Sequence, residues 1–121
     1  MNRVPVKWVR DRAKSAYTKD DCCYICGTTE DLDLHHTNSI AVLLENYIMK
    51  NSIVIHSDED IIEIRDDFIT KHHDEIYKKV YTLCKKHHKK LHSLYGKAPL
   101  LQTATKQENW IEKQKAKYVA T

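Results

Sequence analysis

Two ligand pairs, far apart along the chain, constrain the fold more than any other feature of this sequence. The first is Cys23-x-x-Cys26-Gly27. Thiolates two residues apart close on one ion when the turn between them is tight, and Gly27 supplies permissive backbone. The second is Cys84-x-x-His87. At the start of a helix, residues three apart share a face. Together the pairs make a Cys3His tetrahedral set that suits structural Zn²⁺. The plainer alternative is that the cysteines are small buried hydrophobes. Cys22 could replace Cys23, but the two-residue spacing to Cys26 favours Cys23 and leaves Cys22 as a spare thiol.

The compartment agrees with a metal. MNRVPVKWVRDR lacks the apolar centre of a secretory leader, and the longest apolar run, Ile40-Ala41-Val42-Leu43-Leu44, is too short to span a membrane. The expectation is an intracellular protein with no membrane association. Its four cysteines then stay reduced and available to a metal.

A chain of 121 residues holds one domain with one modest core. Only two glycines and two prolines favour helices over a turn-rich β-sandwich. Periodicity predicts a helix over 7–18 with Trp8, Ala13, Ala16 and Tyr17 inward, a short strand over 32–36 (LDLHH), and a helix over 40–50 capped by Ser39. A short extended piece at 52–57 precedes a long helix from Ser57 or Asp58, striped by Ile61, Ile64, Phe68, Ile69, Ile76 and Val80. A second strand near 79–83 leads into a helix over 85–95 closed by Gly96, and a last basic helix spans 103–118 around Trp110, Ile111 and Tyr118. Trp110 reads as core rather than as a platform for a base.

The stretch LCKKHHKKLH, residues 83–92, holds three histidines, four lysines and a cysteine. If Cys84 and His87 hold zinc, Leu91 and Leu94 continue their face inward. His88 and His92, four apart, stack on a neighbouring face about 100° away. They form a second metal-binding pair that the first ion does not consume, flanked by Lys85, Lys86, Lys89 and Lys90. Partners for that pair are His35 and His36. A regular strand would point them to opposite faces, so both serve one site only if the strand ends or twists there. Thr37-Asn38-Ser39 reads as such a break. Taken alone, His35-His36 would be two surface histidines; His72-His73 read as partly exposed and structural.

Net charge is +3 but unevenly spread. Residues 1–19 carry six Lys/Arg against Asp11, residues 84–121 carry nine Lys against Glu108 and Glu112, and residues 51–80 carry eight acids against four bases. Basic ends around an acidic middle suggest a polyanion partner; an ordinary solvated surface is the alternative.

These stretches resemble the HNH endonuclease family, whose site is a ββα-metal unit. The matching residues are Cys23-x-x-Cys26-Gly27, Leu32-Asp33-Leu34-His35-His36 and Leu83-Cys84-Lys85-Lys86-His87-His88-x-x-x-His92, with a helix before the knuckle. The tail, Leu94-Tyr95-Gly96-Lys97-Ala98-Pro99 with Lys106-Gln107 and Trp110, is similar to small phage-encoded HNH nucleases. The resemblance implies an α+β, mainly helical fold: a ββα-metal core with a Cys3His zinc knuckle, an inserted helical segment and flanking basic helices. It implies one nuclease domain over 1–121: a basic N-terminal helix (1–19), knuckle and first strand (20–36), inserted acidic segment (37–78), second strand and metal-binding helix (79–96) and basic C-terminal helix (97–121).

The implied activity is hydrolysis of DNA phosphodiester bonds, leaving 5′-phosphate and 3′-hydroxyl ends. His36 would be the general base, and His35 and His88 would bind the catalytic divalent metal, with His92 as a further ligand or phosphate contact. Cys23, Cys26, Cys84 and His87 would hold the structural zinc. An all-histidine set tolerates Mn²⁺, Ni²⁺, Co²⁺ or Zn²⁺ better than a carboxylate-rich Mg²⁺ site does. Contacts to the DNA backbone are expected from Arg10, Arg12, Lys14, Lys85, Lys86, Lys89, Lys90, Lys106, Lys113 and Lys117. Nicking and double-strand cleavage both stay open: a lone unit of this kind often nicks, and a homodimer would be needed for paired cuts. If phage-encoded, the protein would work in the cytoplasm of a bacterial host.

Three departures stand out. Lys79 occupies the place of the family's usual asparagine, five residues before the cysteine that opens the helix; Asn38, Asn46 and Asn51 remain as possible replacements. The segment between the strands is longer than usual and acidic. His87 stands where cysteine is commoner. The Lys79 departure keeps open a non-catalytic, zinc-stabilised DNA- or protein-binding module. A further alternative is an interaction protein that presents its acidic helix over 58–78 to a basic partner.

Overall fold

The computed structural model describes residues 6–119; Arg3, counted above among the basic N-terminal residues, lies outside them. LDLHH and the β-type run VYTLC find each other as strands β1 (Leu32–His36) and β2 (Val80–Cys84). They pair antiparallel, with Leu32 opposite Cys84, His35 opposite Tyr81 and His36 opposite Val80. Among the described residues these two strands make the whole sheet. Helix α5 (Lys85–Tyr95) starts at once: Cys84 is its N-cap, and Lys85 N–H donates to the Asp31 carbonyl at 2.9 Å. The knuckle folds back beside this corner. Gly27 N–H reaches the Cys23 carbonyl at 2.9 Å, its φ of +77° turns the chain so that the Thr28 carbonyl accepts from Cys23 N–H at 2.8 Å, and Tyr24 N–H reaches the Thr82 carbonyl at 2.8 Å.

The remaining described helices are α1 (Val6–Lys14), α2 (Ile40–Lys50), α3 (Asp58–Lys71), α4 (His73–Tyr77) and α6 (Ala104–Val119), with a 3₁₀ turn at Leu101–Thr103 before α6. Ser39 caps α2 by accepting from Val42 N–H at 3.5 Å. Ser57 and Asp60 form a capping box at the start of α3. The protein is thus a small α+β fold, mainly helical.

Instead of one core, the apolar residues form two clusters. Val9, Ala13, Ile40, Leu43, Leu44, Tyr47, Ile61, Phe68 and Ile76 unite α1 to α4. Cys23, Ile25, Leu83, Cys84, Leu91 and Ile111 unite the knuckle, β2, α5 and α6. The acidic segment between the strands therefore supplies most of the larger cluster. Trp110 packs partly buried on the smaller one. Tyr24 pins α6 to the knuckle by bonding Glu112 and by lying under the Lys115 ammonium, 3.8 Å from the ring centre.

Local expectations were revised where packing intervened. Helix α1 stops at Lys14 rather than 18, because Ala16 and Tyr17 turn back on the carbonyls of Ala13 and Lys14 at 3.1 Å. Val9 and Ala13 face inward, Trp8 and Tyr17 are half-buried, and Ala16 is exposed. Residues 52–57 form no ladder; Ile53 and Ile55 lean on the first cluster instead. The long helix from Asp58 breaks at His72, whose N–H bonds the Phe68 carbonyl at 3.0 Å. The break lets Ile76 enter the core and Tyr77 Oη reach the Ala13 carbonyl at 3.0 Å. Leu94, expected inward, is 52% exposed. The helix ends one residue later, and Tyr95 takes the contact with the smaller cluster. No helix among the described residues is long and apolar enough to cross a membrane.

Candidate active site

The corner between β2 and α5 brings the two sequence pairs together. The ligating atoms of Cys23, Cys26, Cys84 and His87 all lie within 4.8 Å of one another. Cys26 Sγ is 3.9 Å from Cys84 Sγ, and His87 Nδ1 is 3.2 Å from Cys84 Sγ and 4.0 Å from Cys23 Sγ. Zinc–ligand bonds of about 2.3 Å to sulfur and about 2.0–2.1 Å to nitrogen imply tetrahedron edges of about 3.8 and 3.6 Å. The group therefore has the size and donor chemistry to hold a metal ion. Cys22 is exposed and outside it. Burial pushes the Cys23 thiol up, but backbone N–H groups of Cys26, Cys84 and Ile25 outweigh it and hold the thiol below its usual range. Burial raises Cys26. Tyr118 Oη lies 3.4 Å from His87 Nε2, an outer partner that the sequence did not reveal.

A second group stands where β1 meets α5. Strand alternation puts Asp33 and His35 on one face of β1, opposite the neighbouring face of α5. His35, His88 and His92 converge there, each offering a ligating nitrogen within 4.8 Å of the others. His35 is 1% exposed, and its ring lies 5.2 Å from that of His88 and 5.3 Å from that of His92. His88 Nδ1 faces Asp33 Oδ2 at 3.2 Å, and His92 Nδ1 faces the Gly96 carbonyl at 2.7 Å. Both acceptors call for N–H on Nδ1, so in the neutral rings both Nε2 atoms carry lone pairs. Those two Nε2 atoms are 2.9 Å apart. Two lone pairs so close repel unless something positive lies between them. Two imidazole nitrogens at right angles on one ion, each about 2.1 Å away, would be about 3 Å apart. The donor set fits a divalent cation.

Burial pushes His35 down to about 3, with the Gln107 hydrogen bond opposing it; burial likewise lowers His88, against the pull of Asp33. Both rings thus favour the neutral, ligating form. Gln107 is itself fully buried, with Oε1 2.8 Å from His35 Nε2.

His36 points away from its neighbour, as alternation demands, but sits at the strand's end and lines the same cleft. Its Nε2 is 2.9 Å from the Ile76 carbonyl, and its ring lies 5.2 Å from that of Tyr17. Burial lowers its pKa, opposed by the Ile76 bond and aided by Arg10 and His88.

The cleft measures about 650 Å³ and borders the larger apolar cluster at Tyr17 and Ile40. Arg10, Lys14, Lys19 and Lys97 line it beside the four histidines, against Asp11 and Asp33. Of the expected DNA contacts, Arg10 and Lys14 are thus brought to the cleft. Arg12 turns to Asp66 on α3 at 3.3 Å. Lys85, Lys86, Lys89 and Lys90 are exposed on α5, and Lys106, Lys113 and Lys117 on α6, none lining the cleft. His72 pairs with Glu75 at 2.6 Å and takes no part.

Sequence reasoning missed Asp33, Gln107, Lys19 and Lys97. Asp33 was within reach, since it stands two residues before His35 in an alternating strand. The other three depend on distant packing.

A small α+β protein with a sulfur-rich clip and an imidazole-lined basic cleft is thus defined. A family model for phage T5 nicking endonucleases, described as the Nicking endonuclease family, matches residues 1–121. The chain belongs to that family and is a DNA-cleaving nuclease. No solved structure matches it.

Proposed function

We propose that the protein is a divalent-metal-dependent endonuclease of the HNH type that nicks DNA, a single domain over residues 1–121 with β1, β2 and α5 as its ββα-metal unit. One observation carries this reading: His35, His88 and His92 converge in a basic cleft that also holds His36. Cys23, Cys26, Cys84 and His87 would hold structural zinc, and His35, His88 and His92 the catalytic ion. A divalent cation bound there would supply positive charge beside the scissile phosphate and the departing 3′-oxygen.

The protein's own residues do the rest. His36 donates Nε2–H to the Ile76 carbonyl, which leaves the lone pair on Nδ1. That atom accepts a proton from water as the water oxygen bonds to phosphorus and the bond to the 3′-oxygen breaks. Arg10 and Lys14 hold the phosphate backbone along the cleft, and the exposed lysines of α5 and α6 extend the basic surface. One histidine set per chain suits one cut strand; paired cuts would take two copies.

Lys79 does not weaken this reading. Its backbone carbonyl accepts from Thr37 N–H at 3.4 Å and from Thr37 Oγ1 at 3.3 Å, so the strand end is braced without an asparagine side chain. Asn51 instead caps α2 through the Tyr47 carbonyl at 2.8 Å.

Supercoiled plasmid incubated with Mn²⁺, Ni²⁺, Co²⁺, Zn²⁺ or Mg²⁺ tests the proposal. Open circles should form with transition metals at least as fast as with Mg²⁺, and not with His88→Ala. Activity with Mg²⁺ alone refutes the metal preference; no cleavage with any metal refutes the metal-dependent reading.

A further inference from the structure

Helix α6 reads from its lysines as an outer, basic surface, yet Gln107 on it is 0% exposed. Its Nε2 lies 3.1 Å from the Thr37 carbonyl oxygen and 3.0 Å from Thr103 Oγ1; its Oε1 lies 2.8 Å from His35 Nε2. A backbone carbonyl can only accept, so the amide NH₂ must face Thr37 and the amide oxygen must face His35. That oxygen also only accepts, so His35 Nε2 must carry the proton. A neutral imidazole has one N–H, and the lone pair therefore falls on Nδ1, the nitrogen left for the set with His88 and His92.

We infer that Gln107 is a positioning residue of the active site: it fixes the tautomer and ring plane of His35 and so makes α6 part of the metal-holding machinery. Thr37 holds the amide in turn, and Thr37 is itself bound to the Lys79 carbonyl on the approach to β2. The orientation of one buried amide thus runs from α6 through the end of β1 to the residue before β2. A packing role alone would be met by leucine, which has similar volume and needs no polar partners. The bond to His35 is the contact that packing does not require. The inference rests on the proposed metal-dependent reading of His35, His88 and His92, but its test does not depend on cleavage.

Long-range ¹H–¹⁵N spectra of the zinc-loaded wild-type protein report which His35 nitrogen carries the proton. The expected result is Nε2–H. In Gln107→Leu the Nδ1–H tautomer should appear, and calorimetric titration with Ni²⁺ should show affinity at the histidine set lowered by about 10- to 100-fold, as is usual when an outer partner of a metal-bound imidazole is lost. The inference is overturned if His35 is Nδ1–H in the wild type. It is equally overturned if folded Gln107→Leu keeps either the wild-type tautomer or the wild-type Ni²⁺ affinity. Should Gln107→Leu fail to fold, the wild-type spectrum alone decides. Failure of the nuclease reading would show separately, as wild-type protein with Nε2–H on His35 and no cleavage with any metal.

Discussion

The carbonyl oxygen of Gly96 sits 2.7 Å from Nδ1 of His92. The residue that ends α5 therefore also fixes which nitrogen of a cleft imidazole bears its proton. Gly96 does this at φ 90° and ψ 170°, a conformation open to glycine and costly to any residue with a Cβ.

Gly96→Ala should consequently lower stability by about 1–3 kcal/mol through backbone strain. Beyond Gly96 and its two chain neighbours no atom lies within 4 Å of the position a Cβ would take, so the cost is local backbone strain rather than a clash with the rest of the fold. The carbonyl should move with the strained backbone, and nicking should fall by more than the loss of folded protein explains. Thermal melts beside nicking rates per folded molecule check this; proportional losses would contradict it.

His36→Ala should remove the proposed general base and slow nicking by about 10²- to 10⁴-fold. His36 lies outside both ligand groups, so zinc content and DNA affinity should remain. Gel-shift and metal analysis of the purified variant provide the check. Cleavage at the wild-type rate would remove His36 from the mechanism.

The two thiol environments at the knuckle should separate cleanly. Cys84→Ser removes a proposed zinc ligand that is also the N-cap of α5 and a member of the smaller cluster. It should lose the zinc and much of the folded structure, because metal binding at such a site is coupled to folding. Cys22→Ser should keep one zinc per chain in that group and the wild-type melting temperature, since Cys22 is exposed. Metal analysis with circular dichroism reads both.

Tyr47 joins α2 to α3 by donating its hydroxyl to Asp67. That bond, helped by Lys71, holds the Asp67 carboxyl below its usual range, and it pushes Tyr47 up to about 12. A carboxyl lowered on folding adds stability that is present above its unfolded pKa and lost as pH falls through the folded one. A phenol raised on folding adds stability that is present below its unfolded pKa and lost as pH rises through about 12. Tyr47→Phe should therefore lower the melting temperature at neutral pH and flatten its decline in acid. Parallel curves of melting temperature against pH for the two proteins would disprove the coupling.

Position in the cleft should matter more than charge alone. Arg10→Ala should reduce the slope of log affinity for DNA against log salt by about 1. Lys113→Ala, on the exposed face of α6 away from the cleft, should change it less. Equal effects from both would place the backbone contacts on the general surface.

Short-range chemistry is what the sequence determined by itself. Cys23-x-x-Cys26 and Cys84-x-x-His87 announce a shared group able to hold a metal ion, because ligand spacing is local to a turn and to a helix start. LDLHH, the Ser39 cap and the Gly96 stop are legible for the same reason, since alternation, capping and φ preference act within a few residues. Even the pairing of His88 with His92 follows from helical pitch. Only the tertiary structure decided the rest. It split the apolar residues into two clusters, broke the acidic helix at His72, sent Leu94 to solvent and turned Arg12 away from the cleft. It also supplied Asp33, Gly96 and Gln107 as partners for the three imidazoles. Which nitrogen of a histidine holds the proton depends on an acceptor brought from another part of the fold, and no spacing rule along one chain encodes that meeting.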